Sequence, residues 1–214
     1  PKAKIWLSMQ GYRPLKQDIV YRWLEKGVPS WFGGIVAGPG SPSLPSIHDR
    51  IPKGLPIRDY PDITHSVRCQ FPVPFWDPAF AFTLGSECYN PRPEFFARVI
   101  RDTAPYTSGF ISYSDGVHDD VNKFLWSQLE WNPNESPNQI LMEYSRFFFG
   151  DAVATSAAAG LSAFEKSWQG SAIENGSIDA NFALWRQLDQ KNPELKSNWR
   201  WQLAMLRANY DFYV

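Results

Sequence analysis

Short apolar runs of strand length dominate the first part of this chain and helical periodicity the rest. Residues 4–9, 31–37, 55–60 and 109–114 each carry a brief apolar stretch bounded by glycine or proline, the pattern of buried strands. Between the first two runs, residues 17–26 place Ile19, Val20, Trp23 and Leu24 on one helical face, and Gly27 stops the helix. Further helices are predicted over 94–102 and over 119–131, the latter with Val121, Phe124, Leu125 and Leu129 turned inward. Strands that alternate with helices call for parallel pairing, because a parallel return needs a crossover. The segments after the strands are long and rich in Pro, Trp, His and Asp, whereas those after the helices are short. That distribution favours a barrel over a doubly wound sheet. The expected fold is therefore α/β. Four parallel β/α units form the C-terminal half of a TIM-type barrel over residues 1–131, followed by a helical domain over 132–214.

Within the helical part, Ser136 is expected to cap a helix with Pro137 at its first position and Gln139 completing a capping box, and Gly150 ends it. Its inward stripe is Ile140, Leu141, Tyr144, Phe147 and Phe148. Asp151 and Ser177 are expected to cap the next two helices, and a last helix covers 194–213. Trp185, Leu188, Trp199, Leu203 and Leu206 read as core.

Composition narrows the function. A net charge of -1 does not suit a nucleic-acid binder, which needs a clustered basic face, and Arg92, Arg98 and Arg101 are interspersed with acids. No apolar run approaches the roughly 20 residues that span a bilayer. Cys69 and Cys88 allow one disulfide without requiring it. The sequence opens at Pro1 with no leader, so any targeting segment is expected to have been removed or to lie upstream. Aromatic residues are plentiful, with 10 Trp, 9 Tyr and 15 Phe. Flat rings suit the apolar faces of sugars, and they suit a large core equally.

In a barrel, chemistry gathers where strands end. Gln10 and Tyr12 follow the first strand; Asp62 and His65 follow the third; Tyr113, Asp115 and His118 follow the fourth. Asp62 and Asp115 are the candidate carboxylate pair, with His65 to tune or position them. Against this, Asp62 can make a turn after Pro61, and Asp119 or Asp120 is an ordinary helix-start acid. Trp76 and Tyr89 are candidates for a sugar-stacking wall, with Asp77 or Arg92 for hydroxyl contacts; the same aromatics can pack inward. No phosphate-binding loop, dinucleotide fingerprint or nucleophile elbow is present. A metal site from His65, His118 and Asp119 lacks helical His spacing.

The turn Tyr113-Ser114-Asp115-Gly116, the helix start that follows it, and residues 131–150 resemble bacterial glycoside-hydrolase-like proteins. In those, of α-glucuronidase or α-N-acetylglucosaminidase architecture, a β/α barrel precedes a helical domain. The resemblance implies a secreted or periplasmic enzyme acting on a polysaccharide or oligosaccharide, with no metal or cofactor. The expected partners are a carbohydrate substrate and either a second copy or the N-terminal half of the same protein. The alternative is a non-catalytic carbohydrate-binding or scaffolding module.

Overall fold

In the computed structural model, which describes residues 3–214, the chain divides into two compact units. The first comprises the chain up to Ile63 together with Arg101–Tyr113, and the second comprises Thr64–Ile100 and Ser114–Val214.

The first unit holds β1 (Ile5–Ser8), α1 (Pro14–Glu25), β2 (Phe32–Ala37), α2 (Leu44–Arg50) and β3 (Ile57–Asp59). The strands are parallel in the order β1-β2-β3. Pro14 starts α1 earlier than periodicity predicts, because its fixed φ suits a first helical position. The inward face is Val20, Tyr21 and Leu24, while Ile19 is 61% exposed. These side chains pack with Met9, Ile35, Ile47 and Ile57. Helix α2 was hidden in the sequence by Pro45 within it and by Pro39 and Pro42 before it. It starts from Ser43, whose hydroxyl accepts the Ser46 N–H at 3.4 Å.

Trp6 explains the paired glycines of β2. Its indole lies across them, and a Cβ on Gly34 would come within 2.5 Å of the ring and 2.3 Å of the Pro56 carbonyl. The Arg58 guanidinium covers Trp6 at 4.1 Å.

The expected half-barrel is not present: among the described residues there are three strands, and the chain is mostly helical. The predicted fourth strand, residues 109–114, does run parallel to β3 and beyond it. Asp59 N–H donates to the Gly109 carbonyl, Ile111 N–H to Asp59, Tyr113 N–H to Pro61, and Ile63 N–H to Tyr113. The donor required between these bonds is residue 61, and Pro61 has no N–H. The ladder consequently breaks into two isolated bridges, Asp59 to Phe110 and Asp62 to Tyr113. With β3 cut to three residues as well, four β/α units do not form.

The second unit contains α3 (Pro78–Thr83), the beginning of α4 (Pro93–Thr103), then α5 (Asp120–Trp131), α6 (Pro137–Phe149), α7 (Ala154–Ser167), α8 (Gly176–Lys191) and α9 (Trp199–Tyr213). Its main core gathers Leu141, Tyr144, Leu161, Phe164, Trp185 and Trp201. Gly160 admits α8 to α7, since a Cβ there would lie 2.7 Å from the Trp185 indole nitrogen. A second cluster joins Phe80 of α3 to Trp168 and Ile178.

Several caps differ from expectation. Ser136 makes no side-chain cap bond, and the Gln139 amide donates to Glu143 instead. Asp151 pairs with Arg146 at 2.7 Å. Asparagines serve where serine or proline was favoured: Asn175 accepts from Ser177 N–H at 3.1 Å and Asn198 from Arg200 N–H at 3.0 Å. Trp199 and Leu206, expected in the core, are 37% and 63% exposed. No described helix is long and apolar enough to cross a membrane.

Candidate functional site

The second unit brings His65, Glu87 and Asp115 together. His65 and Glu87 lie opposite each other in an antiparallel bridge, and the neighbouring Ser66 N–H donates to the Ser86 carbonyl at 2.7 Å. Ser66 is itself held by the Cys88 thiol and the Asn90 amide, which both donate to its hydroxyl, at 3.3 and 3.2 Å.

Asp115 arrives on the turn before α5. Its N–H donates to the Thr64 hydroxyl at 3.0 Å, and that hydroxyl donates to the Asp119 carboxylate. Asp119 is 1% exposed and also accepts from the Ser114 hydroxyl at 2.9 Å and pairs with Lys123 at 3.1 Å. It is the anchor of the turn, and the turn presents Asp115.

The result is one imidazole nitrogen between two acids. His65 Nε2 stands 3.4 Å from Glu87 Oε1 and 3.4 Å from Asp115 Oδ2. All three ligand-type atoms lie within 4.8 Å of one another, the one place among the described residues where three such groups converge. Side-chain exposure of 24%, 53% and 28% for His65, Glu87 and Asp115 leaves the cluster reachable from solvent. Such a set can exchange a proton between imidazole and carboxylate, or hold a divalent cation.

The other predicted residues are distributed between the two units. Asp62, Tyr113, Gln10 and Tyr12 belong to the first. Asp62 is 5% exposed, with its backbone bridged to Tyr113, whose ring meets Tyr60 edge-on at 6.1 Å. The Tyr12 carbonyl accepts from the Gln17 amide at 2.6 Å, and Gln10 is exposed.

In the second unit, Trp76 is partly buried and packs on Trp168 with centroids 5.1 Å apart. Asp77 caps α3 through the Ala79 N–H at 2.8 Å and accepts the Ala172 N–H at 2.9 Å; these backbone bonds hold its carboxyl below the usual range. Tyr89 is 7% exposed, and burial pushes its hydroxyl far above the ordinary phenol range. Arg92 donates to the Phe71 and Pro72 carbonyls and lies 3.8 Å from the Phe95 ring, and desolvation lowers it to about 10. Cys69 and Cys88 form no disulfide, and burial pushes the Cys88 thiol up. His118 does not join His65 and Asp119; it lines a cavity whose wall also includes Glu87.

Sequence reasoning missed Glu87 as a site residue. It sits in a proline-rich loop with no periodicity, and only the backbone bridge to His65 brings it in.

Comparison with protein-family models, curated proteins and solved structures finds no match to this chain. With neither the barrel nor a family match behind it, the resemblance to glycoside-hydrolase-like proteins is withdrawn.

Proposed function

We propose that the second unit carries a hydrolytic site acting on a carbohydrate, with Glu87 and Asp115 as the acid–base pair and His65 between them. The observation that supports this reading is that one Nε2 lies 3.4 Å from a carboxylate oxygen on each of two separate segments. Two acids flanking one imidazole can be kept in unlike protonation states, which acid–base cleavage of a glycosidic bond requires. Oxygens within 4.8 Å of each other lie nearer the close spacing of retaining enzymes, about 5–5.5 Å between carboxyl groups, than the wider inverting one.

One observation favours a second reading. At 3.4 Å the contacts exceed the 2.7–2.9 Å of charge-assisted hydrogen bonds. Two ligands about 2.0–2.1 Å from a tetrahedral zinc stand about 3.3–3.4 Å apart, which is the spacing of His65 Nε2 from each carboxylate oxygen, while the two oxygens lie within 4.8 Å of each other. Three protein ligands leave a fourth position for water, the pattern of hydrolytic zinc sites.

The experiment is turnover of a panel of nitrophenyl glycosides, with and without added zinc, by the wild type and by Glu87→Gln and Asp115→Asn. The carboxylate reading expects turnover without metal and a loss of at least a hundredfold in each variant. Turnover only with zinc selects the second reading. An inactive wild type in both conditions, or fully active variants, overturns the hydrolytic assignment.

A further inference from the structure

A cavity of about 320 Å³ lies in the second unit, walled by Leu84, Cys88, Trp168, Leu203, Leu206 and Tyr210. Its volume is roughly twice the 150 Å³ cavity that accepts benzene and sits at the lower end of natural ligand pockets, about 300–1,000 Å³. The walls are aliphatic and aromatic. Among the polar groups that interrupt them, His118, Arg207 and Glu87 bear on the charge and hydrogen bonding of a ligand.

The first is His118, whose Nε2 is buried and makes no hydrogen bond. Buried imidazole nitrogens are ordinarily satisfied, so an unmet one in a cavity wall calls for a ligand group that donates to it or accepts from it. The second is Arg207, which offers no free charge. Its Nε lies 2.8 Å from both Asp211 oxygens, Nη1 donates to the Tyr89 carbonyl at 2.7 Å and Nη2 to the Phe164 carbonyl at 3.0 Å. Its flat face lies 3.4 Å from the Trp168 ring. Glu87, also in the wall, adds a negative charge. An anionic ligand would therefore meet repulsion from Glu87 and a guanidinium already neutralised.

We propose that this cavity is a binding site for a neutral aromatic alcohol of about two fused rings, its rings against Leu84, Leu203 and Leu206 and its hydroxyl on His118 Nε2. The inference goes beyond the hydrolytic reading and does not depend on it, because binding is measured without turnover.

The test is isothermal titration calorimetry of the full chain with 2-naphthol, and with 2-naphthoate as the charged counterpart. Saturable binding of one 2-naphthol per chain is expected, with 2-naphthoate at least tenfold weaker. Leu203→Trp fills the cavity and should weaken binding at least tenfold, as should His118→Phe, which keeps the ring and removes the nitrogen. Leu206→Trp, at an exposed position in the cavity wall, repeats the filling test should Leu203→Trp fail to fold. Absence of saturable binding to the wild type, or unchanged affinity in a folded filled variant, overturns the site. Unchanged affinity in His118→Phe, or 2-naphthoate binding as tightly as 2-naphthol, overturns the proposed ligand class.

Discussion

Arg200 on α9 reaches Asp120 at the head of α5 with two hydrogen bonds, 2.7 Å from Nε and 3.2 Å from Nη2. Both side chains are about four-fifths buried, and the Tyr144 hydroxyl donates to the same carboxylate at 2.8 Å. Removing the acid leaves a guanidinium and a phenol without their acceptor. Asp120→Ala is expected to lower unfolding free energy by about 2–3 kcal/mol, measured by urea denaturation. A loss below about 0.5 kcal/mol would place the pair among inconsequential surface bridges.

Sequence reasoning read Asp120 as a helix-start acid, which is correct about its position and silent about Arg200. The contrast holds for the whole chain. Strands β1 and β2 and most helices were legible because each is set by local periodicity. The barrel inference failed because the sheet stops at three strands, with β3 three residues long and the ladder to residues 109–113 interrupted at Pro61, none of which an apolar pattern records. His65 and Asp115 were legible as chemically capable residues, whereas Glu87 joins them through a backbone bridge between loops, a non-local event.

The Pro61 explanation can be checked directly. In Pro61→Ala the new N–H should donate to the Ile111 carbonyl and close the gap between the two isolated bridges. Hydrogen exchange should show protection at residue 61. The hydrogen bond gained, about 0.5–1.5 kcal/mol, is offset by about 0.4–1 kcal/mol of added unfolded-chain freedom, so net stability should change by less than about 1 kcal/mol. Exchange at residue 61 as fast as in an unstructured peptide would show that Pro61 is not the interruption.

Glu165 of α7 accepts the N–H groups of Glu94 and Phe95 at 2.9 and 3.0 Å, capping α4 from a distant part of the sequence. Glu165→Ala should cost about 1–2 kcal/mol, the range of a lost cap. Burial raises the Glu165 carboxyl above its ordinary range. Glu165→Gln, which keeps an acceptor without a charge to desolvate, should therefore be the milder change in the same denaturation experiment. Equal losses in both variants would assign the effect to the charge and not to the cap.

Asp77 supplies a pH dependence. Its two backbone hydrogen bonds lower its folded pKa below the unfolded value, so its contribution is present above the ordinary carboxylate range and is lost as pH falls through the folded value. The urea midpoint of the wild type should exceed that of Asp77→Ala at about pH 6, well above the ordinary Asp pKa of about 3.9. The gap should narrow as the solution is acidified below that range. A gap independent of pH would mean that the carboxylate charge plays no part in holding residue 172.

Arg207, deep in the second unit, satisfies the carbonyls of Tyr89 and Phe164 from a helix near the end of the sequence. During synthesis those two oxygens have no such donor until α9 has left the ribosome tunnel. The packing of α7 and of the loop that carries Tyr89 is therefore completed by a residue more than forty positions further along the chain, which ties α9 to both.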